Sequence, residues 1–466
     1  MFDCEVRMRI AVLVKTDSGF MFGGCSLWLI NFKKVCEVNG WIMDIITEME
    51  PIKDKITPEM IEEILPITCW SNIKIPSGKI RYSICFDINA TAKIYNCFIE
   101  QLKTKVYDII IVKDIDTIYI ASCLNLSKYL PMFHYTNIHD IFVDNLKSNV
   151  IGEDGIILGR MLMSFNKIGL LTQTKYNMEM IGRNCKGRNL ETVYLGKIPL
   201  NYSDICIGNK KFNEKEGVVY LGSGDVRKQP EVVVKIAKQL PDIPFKIICG
   251  RGKEKIEKII EEEKVKNIKI HYRVSEKEKY EILKNSKLGI NTSNTEGFCI
   301  AVNEMLVFMP VLLYDKGYDY VNEFKDVGVI FSSIEQALNL IKTLYFNEKA
   351  WEKVYINGTN WVKKTYSTEI VANEYKEIFN DFTVKNKIIT DISHIKCFDK
   401  LDLKGKILSI QDIIKTLGWQ HIVNAQPPFV RFKYKYKKLD CQERTCFSED
   451  LDCSKCPYKS KGLLKW

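Results

Sequence analysis

The chain alternates between two hydrophobic periods. Residues 9–14 (RIAVLV) form a short, almost uninterrupted apolar run of the kind buried on both faces of a parallel sheet. Polar residues and Gly23–Gly24 follow. Leu27, Leu29, Ile30 and Val35 then recur at helical spacing until Gly40. WIMDIITE is a second strand, and residues 108–112, 132–135 and 169–172 read as further strands with helical stretches between some of them. This pattern predicts a doubly wound α/β unit.

From about Gly217 the alternation begins again, more cleanly. GVVYL, PFKIIC, NIKIHYRV, KLGINTS, PVLLYD and VGVIFSS are strand-like. PEVVVKIAKQL, EKIEKIIEEEKV, SEKEKYEILKNS and EGFCIAVNEMLVF are helix-like, the third with a serine cap. After about Ser333 the chain reads as helical. Residues 201–217, NYSDICIGNKKFNEKEG, are polar and without period, which suits a linker. No internal sequence repeat joins the two halves.

Composition narrows the class. The chain has 466 residues, room for two or three domains, with 46% hydrophobic and 27% charged residues as in ordinary globular protein. No run of about 18 uncharged apolar residues predicts a transmembrane helix. The N-terminus reads as a first strand rather than a signal peptide. Most of the 16 cysteines, such as Cys36, Cys85, Cys123 and Cys249, stand singly in apolar surroundings and read as buried thiols of a cytoplasmic protein. Cys441, Cys446, Cys453 and Cys456 instead crowd into the tail. A net charge of +10 says little until it is located, and it concentrates near the C-terminus.

Three glycine loops lie between a strand end and a helix start: Gly23–Gly24, Gly222–Gly224, and Gly297 after Glu296. Backbone amides and the helix dipole make such places suited to phosphate, although a turn glycine without a ligand is commoner for any one of them. None matches a Walker or dinucleotide-binding pattern. The stretch Glu296–Gly297–Phe298–Cys299, then Glu304, then Pro310–Val311, is more specific. It resembles the nucleotide-sugar glycosyltransferases of the GT-B fold, in particular the large retaining family four, and its order of elements runs through most of residues 9–380. Cys299 stands where that family has a second glycine.

The resemblance implies two Rossmann-like domains facing a cleft, with a basic, cysteine-containing extension. The expected boundaries are an acceptor domain at 1–200, a linker at 201–216, a donor domain at 217–366, a helix at 367–383 returning toward the first domain, and the extension at 384–466. It implies that Glu296 holds hydroxyls of the donor sugar and Glu304 the ribose hydroxyls. Gly297, Phe298 and Cys299 would lie beside the diphosphate. A carboxylate accepting from vicinal hydroxyls is the chemistry such a ligand needs. The family's basic pair falls on Gly222–Lys228: Lys228 occupies the lysine position, Ser223 the arginine position, with Arg227 the neighbouring substitute and Arg251 a further cation near the nucleotide. Charge is needed there because the departing diphosphate gathers it. In FHYTNIHDIF, His139 before Asp140 best matches the family's histidine near sugar and acceptor, a structural histidine being the competing reading. Gly23 and Gly24 match the loop beneath the diphosphate. The implied reaction retains configuration by front-face attack, with catalytic residues His139, Lys228 and Glu296 and no catalytic metal.

The acceptor is a separate matter. In RFKYKYKK, an extended chain puts Arg431, Lys433, Lys435 and Lys437 on one face and aromatics on the other, which suits an anionic polymer or a guarded edge strand. The four tail cysteines would suffice for one structural zinc, with disulfides or free thiols as alternatives. The opening strand and glycines, with the later DIIIV strand and the His–Asp pair, also resemble the DNA α-glucosyltransferases of T-even phages. That implies a hydroxylated base in DNA as acceptor and DNA as partner, in the cytoplasm, including the host's if the chain is viral. Cell-surface polysaccharide or glycolipid synthesis is the competing expectation, and a catalytically dead nucleic-acid adaptor a third. The sequence gives no oligomeric state.

Overall fold

The computed structural model describes residues 7–16, 20, 24–53, 56–70, 81–83, 86–113, 130–131, 170–184, 193–200, 205, 209–294, 296, 298–317 and 319–385. Its first part contains β1 (Arg9–Leu13), α1 (Gly24–Val38), β2 (Ile42–Thr47), β3 (Thr68–Trp70), a small antiparallel pair β4 (Arg81–Ser83) and β5 (Phe86–Asp87), α2 (Ile88–Leu102), β6 (Ile109–Val112) and β7 (Leu130–Pro131). The main sheet runs β3-β2-β1-β6-β7, every pair parallel. Residues 10–13 of β1 are fully buried because helices or strands cover both faces and both edges. Helix α1 ends where Gly40 takes φ +66, a conformation a side chain would resist, and Trp41 N closes the turn on Cys36 O at 2.8 Å. Next come β8 (Leu170–Thr172), α3 (Lys175–Asn184) and β9 (Val193–Leu195), with β8 and β9 paired in parallel.

The second part is built from β10 (Val218–Leu221), α4 (Pro230–Lys238), β11 (Phe245–Cys249), α5 (Lys253–Glu263), β12 (Ile268–Tyr272), α6 (Glu276–Lys284), β13 (Leu288–Asn291), α7 (Ile300–Leu306), β14 (Val311–Tyr314), β15 (Val329–Phe331), α8 (Ile334–Phe346), α9 (Glu348–Tyr366) and α10 (Thr368–Lys385). Its sheet order is β12-β11-β10-β13-β14-β15, wholly parallel. That is the Rossmann order, and the chain reverses its direction of travel between β10 and β13. A crevice therefore opens beyond the C-terminal ends of those two strands.

Leu200 and helix α10 join the two parts. Leu200 N donates to Tyr366 O at 2.7 Å and Leu200 bridges to Ser367 in parallel. Helix α10 then packs on α1, with Tyr375 and Phe379 edge-on to Phe32 at 5.1 and 6.4 Å.

One sequence expectation changes here. The helix expected from Glu296 begins only at Ile300. Phe298 and Cys299 are drawn into the core, Phe298 against Tyr366 at 5.2 Å, and Ile300 N bonds Phe298 O in a tight turn that interrupts helical geometry. Glu296 thus lies on a loop, not on a helix. Within the segment expected as a linker, Phe212 packs edge-on to Trp351 at 5.7 Å and Lys215 is buried. The strand expected at 132–135 lies outside the described residues.

Candidate active site

Two loops meet at the crevice. One leaves β10 and covers residues 222–229; the other leaves β13 and covers 292–299. Asn294 N donates to Arg227 O at 2.8 Å. Thr292 Oγ1 lies 2.8 Å from the Lys228 carbonyl and 3.0 Å from that of Gln229. From below, the buried Tyr220 hydroxyl sits 3.2 Å from the carbonyls of Ser223 and Lys228. These bonds fix the loop backbones before any ligand arrives.

The glycines of 222–224 have a reason besides phosphate. A Cβ on Gly224 would stand 2.3 Å from Gly252 O, and one on Gly222 would stand 2.8 Å from the Tyr220 hydroxyl. The loops after β10 and β11 touch backbone to backbone, with Gly224 N donating to Arg251 O at 2.9 Å. This close approach brings Arg251 beside the first loop, 3.7 Å from Asp225.

Both carboxylates singled out in the sequence are buried, each 2% exposed, and each meets a lysine. Lys228 Nζ donates to Glu296 Oε1, which also accepts from Ser293 Oγ at 2.6 Å. Glu304 Oε1 accepts from Lys279 Nζ at 2.6 Å and from the Tyr280 hydroxyl at 3.0 Å. Lys279 Nζ also reaches Glu276 Oε2 at 2.6 Å. Burial disfavours the Lys279 ammonium, but Glu276 and Glu304 outweigh it and hold the proton on. Burial pushes the Glu304 carboxyl above its ordinary range, and Lys279 pulls it back. Both bonds to Glu304 end on Oε1, which leaves Oε2 outside them.

Lys279 was not singled out in the sequence, where it sits in the charged string EKEK. Its signal is the helical period: Glu276, Lys279 and Leu283 share one stripe of α6, and Lys279 and Leu283 are its buried members. Cys299 is buried, with its Sγ 3.4 Å from Asn291 Nδ2. Burial, and then nearby Glu296, raise its thiol well above the usual range, so it remains a protonated packing group.

These groups line one cavity of about 240 Å³. Gly222, Arg227, Lys228, Arg251, Glu296, Phe298, Cys299 and Glu304 are all part of its wall, as are Arg273 and Lys279. The first part of the chain closes the other side with Ser26, Leu27 and Ile30 of α1, Thr57, Gln173 and Ile198. Gly24 is the first residue of α1. Gly23, His139, Gly297, Arg431, Lys433, Lys435, Lys437 and the cysteines at 441, 446, 453 and 456 lie outside the described residues. Among the described residues no group of three or more His, Cys, Asp or Glu is placed to hold a metal ion, and no helix is long and apolar enough to cross a membrane.

Residues 207–361 match the family model described as glycosyl transferases group 1. The chain carries a glycosyltransferase domain. That domain spans β10 to most of α9 and contains both lysine–carboxylate pairs. Its matched region starts within the segment expected as a linker.

The fold extends the likeness beyond that domain. The sucrose-phosphate synthase of Thermosynechococcus elongatus superposes with a TM-score of 0.65 at 14% identity, over 81% of this chain and 100% of that one. Anabaena HepE in complex with UDP and glucose gives 0.55 at 13% identity, over 80% and 100%. An Escherichia coli structure described as trehalose-6-phosphate bound with UDP-2-fluoro glucose gives 0.56 at 10% identity, over 82% and 99%. The glycosyltransferase domain therefore sits in a chain of GT-B fold, with parallel sheets on both sides of the cavity. No curated protein matches the chain.

Proposed function

We propose that the chain moves a hexose from a UDP-sugar to an acceptor hydroxyl with retention of configuration. The observation that carries this is the pair of buried lysine–carboxylate contacts at the switch point of a glycosyltransferase domain. UDP is chosen as nucleotide because similar folds are seen with UDP and a glucose.

In this reading Glu304 Oε2 accepts from the ribose hydroxyls while Lys279 holds Oε1. Glu296 accepts from hydroxyls of the sugar. Lys228, Arg227 and Arg251 face the diphosphate and stabilise the charge it gains as the bond to the anomeric carbon breaks. Phe298, Cys299, Gly297 and Gly222 shape the backbone around it. The acceptor oxygen bonds to the anomeric carbon on the face the diphosphate leaves, and its proton passes to a departing phosphate oxygen. The chain supplies position and charge rather than a covalent intermediate. His139, with Gly23 and Gly24 under the diphosphate, is carried from the family resemblance.

For the acceptor we propose the hydroxylated DNA base, on the strength of the alternating cations Arg431, Lys433, Lys435 and Lys437 in the sequence and the four cysteines that follow, which would suffice for one zinc. The purified full-length chain, labelled UDP-glucose and either hydroxymethylcytosine DNA or lipid acceptors test the whole reading. Label in DNA is expected. Label in lipid alone ends the DNA acceptor, and no turnover of any UDP-sugar ends the transferase reading.

A further inference from the structure

The cavity has two unlike walls. In the glycosyltransferase domain, the lysines and carboxylates named above meet one another. On the facing wall stands Gln173, directly after β8, 1% exposed and part of the cavity lining. Neither its Oε1 nor its Nε2 has a hydrogen-bond partner among the described residues. A buried carboxamide left unpaired destabilises the fold that holds it, and such a group calls for an explanation in terms of what it binds.

Its backbone is fixed on both sides. Thr172 O accepts from Gly196 N at 2.7 Å, and the Thr174 hydroxyl accepts from Asn177 N at 3.1 Å at the start of α3. Gln173 is therefore held between a strand end and a helix start rather than on a loose loop, as a group that must meet a ligand in fixed geometry should be.

We propose that Gln173 binds the hexose being transferred, its Nε2 donating to one ring hydroxyl and its Oε1 accepting from a neighbour. This rests on the UDP-sugar reading above. A neutral amide has little to offer a diphosphate, whose charge is met by the cations across the cavity. It carries a donor and an acceptor side by side, and vicinal hydroxyls are each both. Uracil is bonded to the ribose and so stays with Glu304, whereas the hexose hangs from the far phosphate and is the group of the donor placed to reach across the cavity. Gln173 would then close the hexose from the side opposite Glu296.

Calorimetric titration of the full-length chain with UDP, UDP-glucose, UDP-galactose and UDP-N-acetylglucosamine tests this, in the wild type and in Gln173→Leu. The wild type is expected to bind at least one of these UDP-sugars about tenfold tighter than UDP. Gln173→Leu should bind UDP within about twofold of wild type and lose most of that margin. Because the leucine removes an unpaired buried amide, its Tm should hold or rise. A margin unchanged in Gln173→Leu, or absent from the wild type, overturns the proposal. A wild type that does not bind UDP contradicts the transferase reading itself, a separate result from loss of the margin alone.

Discussion

Helix α6 joins two regions that treat buried lysines in opposite ways. At its N-terminal end, beside the cavity, Lys279 lies between Glu276 and Glu304 and stays charged. At its C-terminal end, Lys215 Nζ donates to Lys284 O at 2.8 Å and to Asn209 Oδ1 at 2.7 Å. Lys246 Nζ reaches Glu216 O and Asn285 O at 3.0 and 3.2 Å, and Lys287 stands over the Phe212 ring at 3.9 Å. Burial first, then Lys210 and Lys246, bring Lys215 down to about 7, and burial also lowers Lys246 and Lys287. Burial is common to both ends, so it does not decide the charge; the partners do. Carboxylates keep the side of the sheet at the C-terminal ends of its strands ionic, where a charged ligand would enter. Carbonyls at the N-terminal ends of the strands use lysines as caps on a helix C-terminus, a structural task a neutral amine still performs.

The comparison can be broken in several places. The largest effect is expected at Lys228: Lys228→Ala should lower kcat for UDP-glucose hydrolysis by about 10²–10³, the usual cost of one donor to developing charge. An unchanged kcat would move the cavity lysines into the structural class. Lys279→Met should weaken UDP binding at neutral pH by about tenfold. Without its cation the Glu304 carboxyl rises further, so binding should recover as pH rises and the carboxylate returns. Lys279→Arg should restore it; a pH-independent loss would contradict the charge argument. The same Met variant should lose about 3 kcal/mol of stability, because it strands buried carboxylates.

The smallest effect is at the N-terminal ends of the strands. Between about pH 7 and the ordinary lysine range, the unfolded chain binds a proton at Lys215 that the folded chain does not. Stability therefore gains with rising pH through that window, and the burial penalty is fully present below it. Lys215→Met should flatten this part of the Tm profile and raise Tm at pH 7. Parallel profiles for wild type and variant would show that Lys215 is charged in the fold.

Much of this was legible in the sequence because parallel strands buried on both faces read as unbroken apolar runs. β1, β2 and β6 and most of the strands from β10 onward were visible that way. Very short strands such as β3 (TCW) and β9 (VYL) carry too few residues to show a period. Glu296 and Glu304 were found by their spacing, but the start of α7 was misplaced because Phe298 is held by Tyr366, a residue remote in sequence. Lys279 was hidden by its charged neighbours. Gln173, in LLTQT, looks like any polar residue leaving a strand; only the tertiary fold shows it to be buried with no side-chain partner among the described residues.

The central claim is that the cavity at the switch point binds a nucleotide through Glu304. Titrating UDP into the wild type and into Glu304→Gln tests it most directly, because the amide keeps the shape and Lys279 keeps Glu276. The account predicts saturable binding to the wild type, about tenfold or more weaker in the variant, at similar Tm. Equal affinity in the two proteins, or no binding to either, would contradict it.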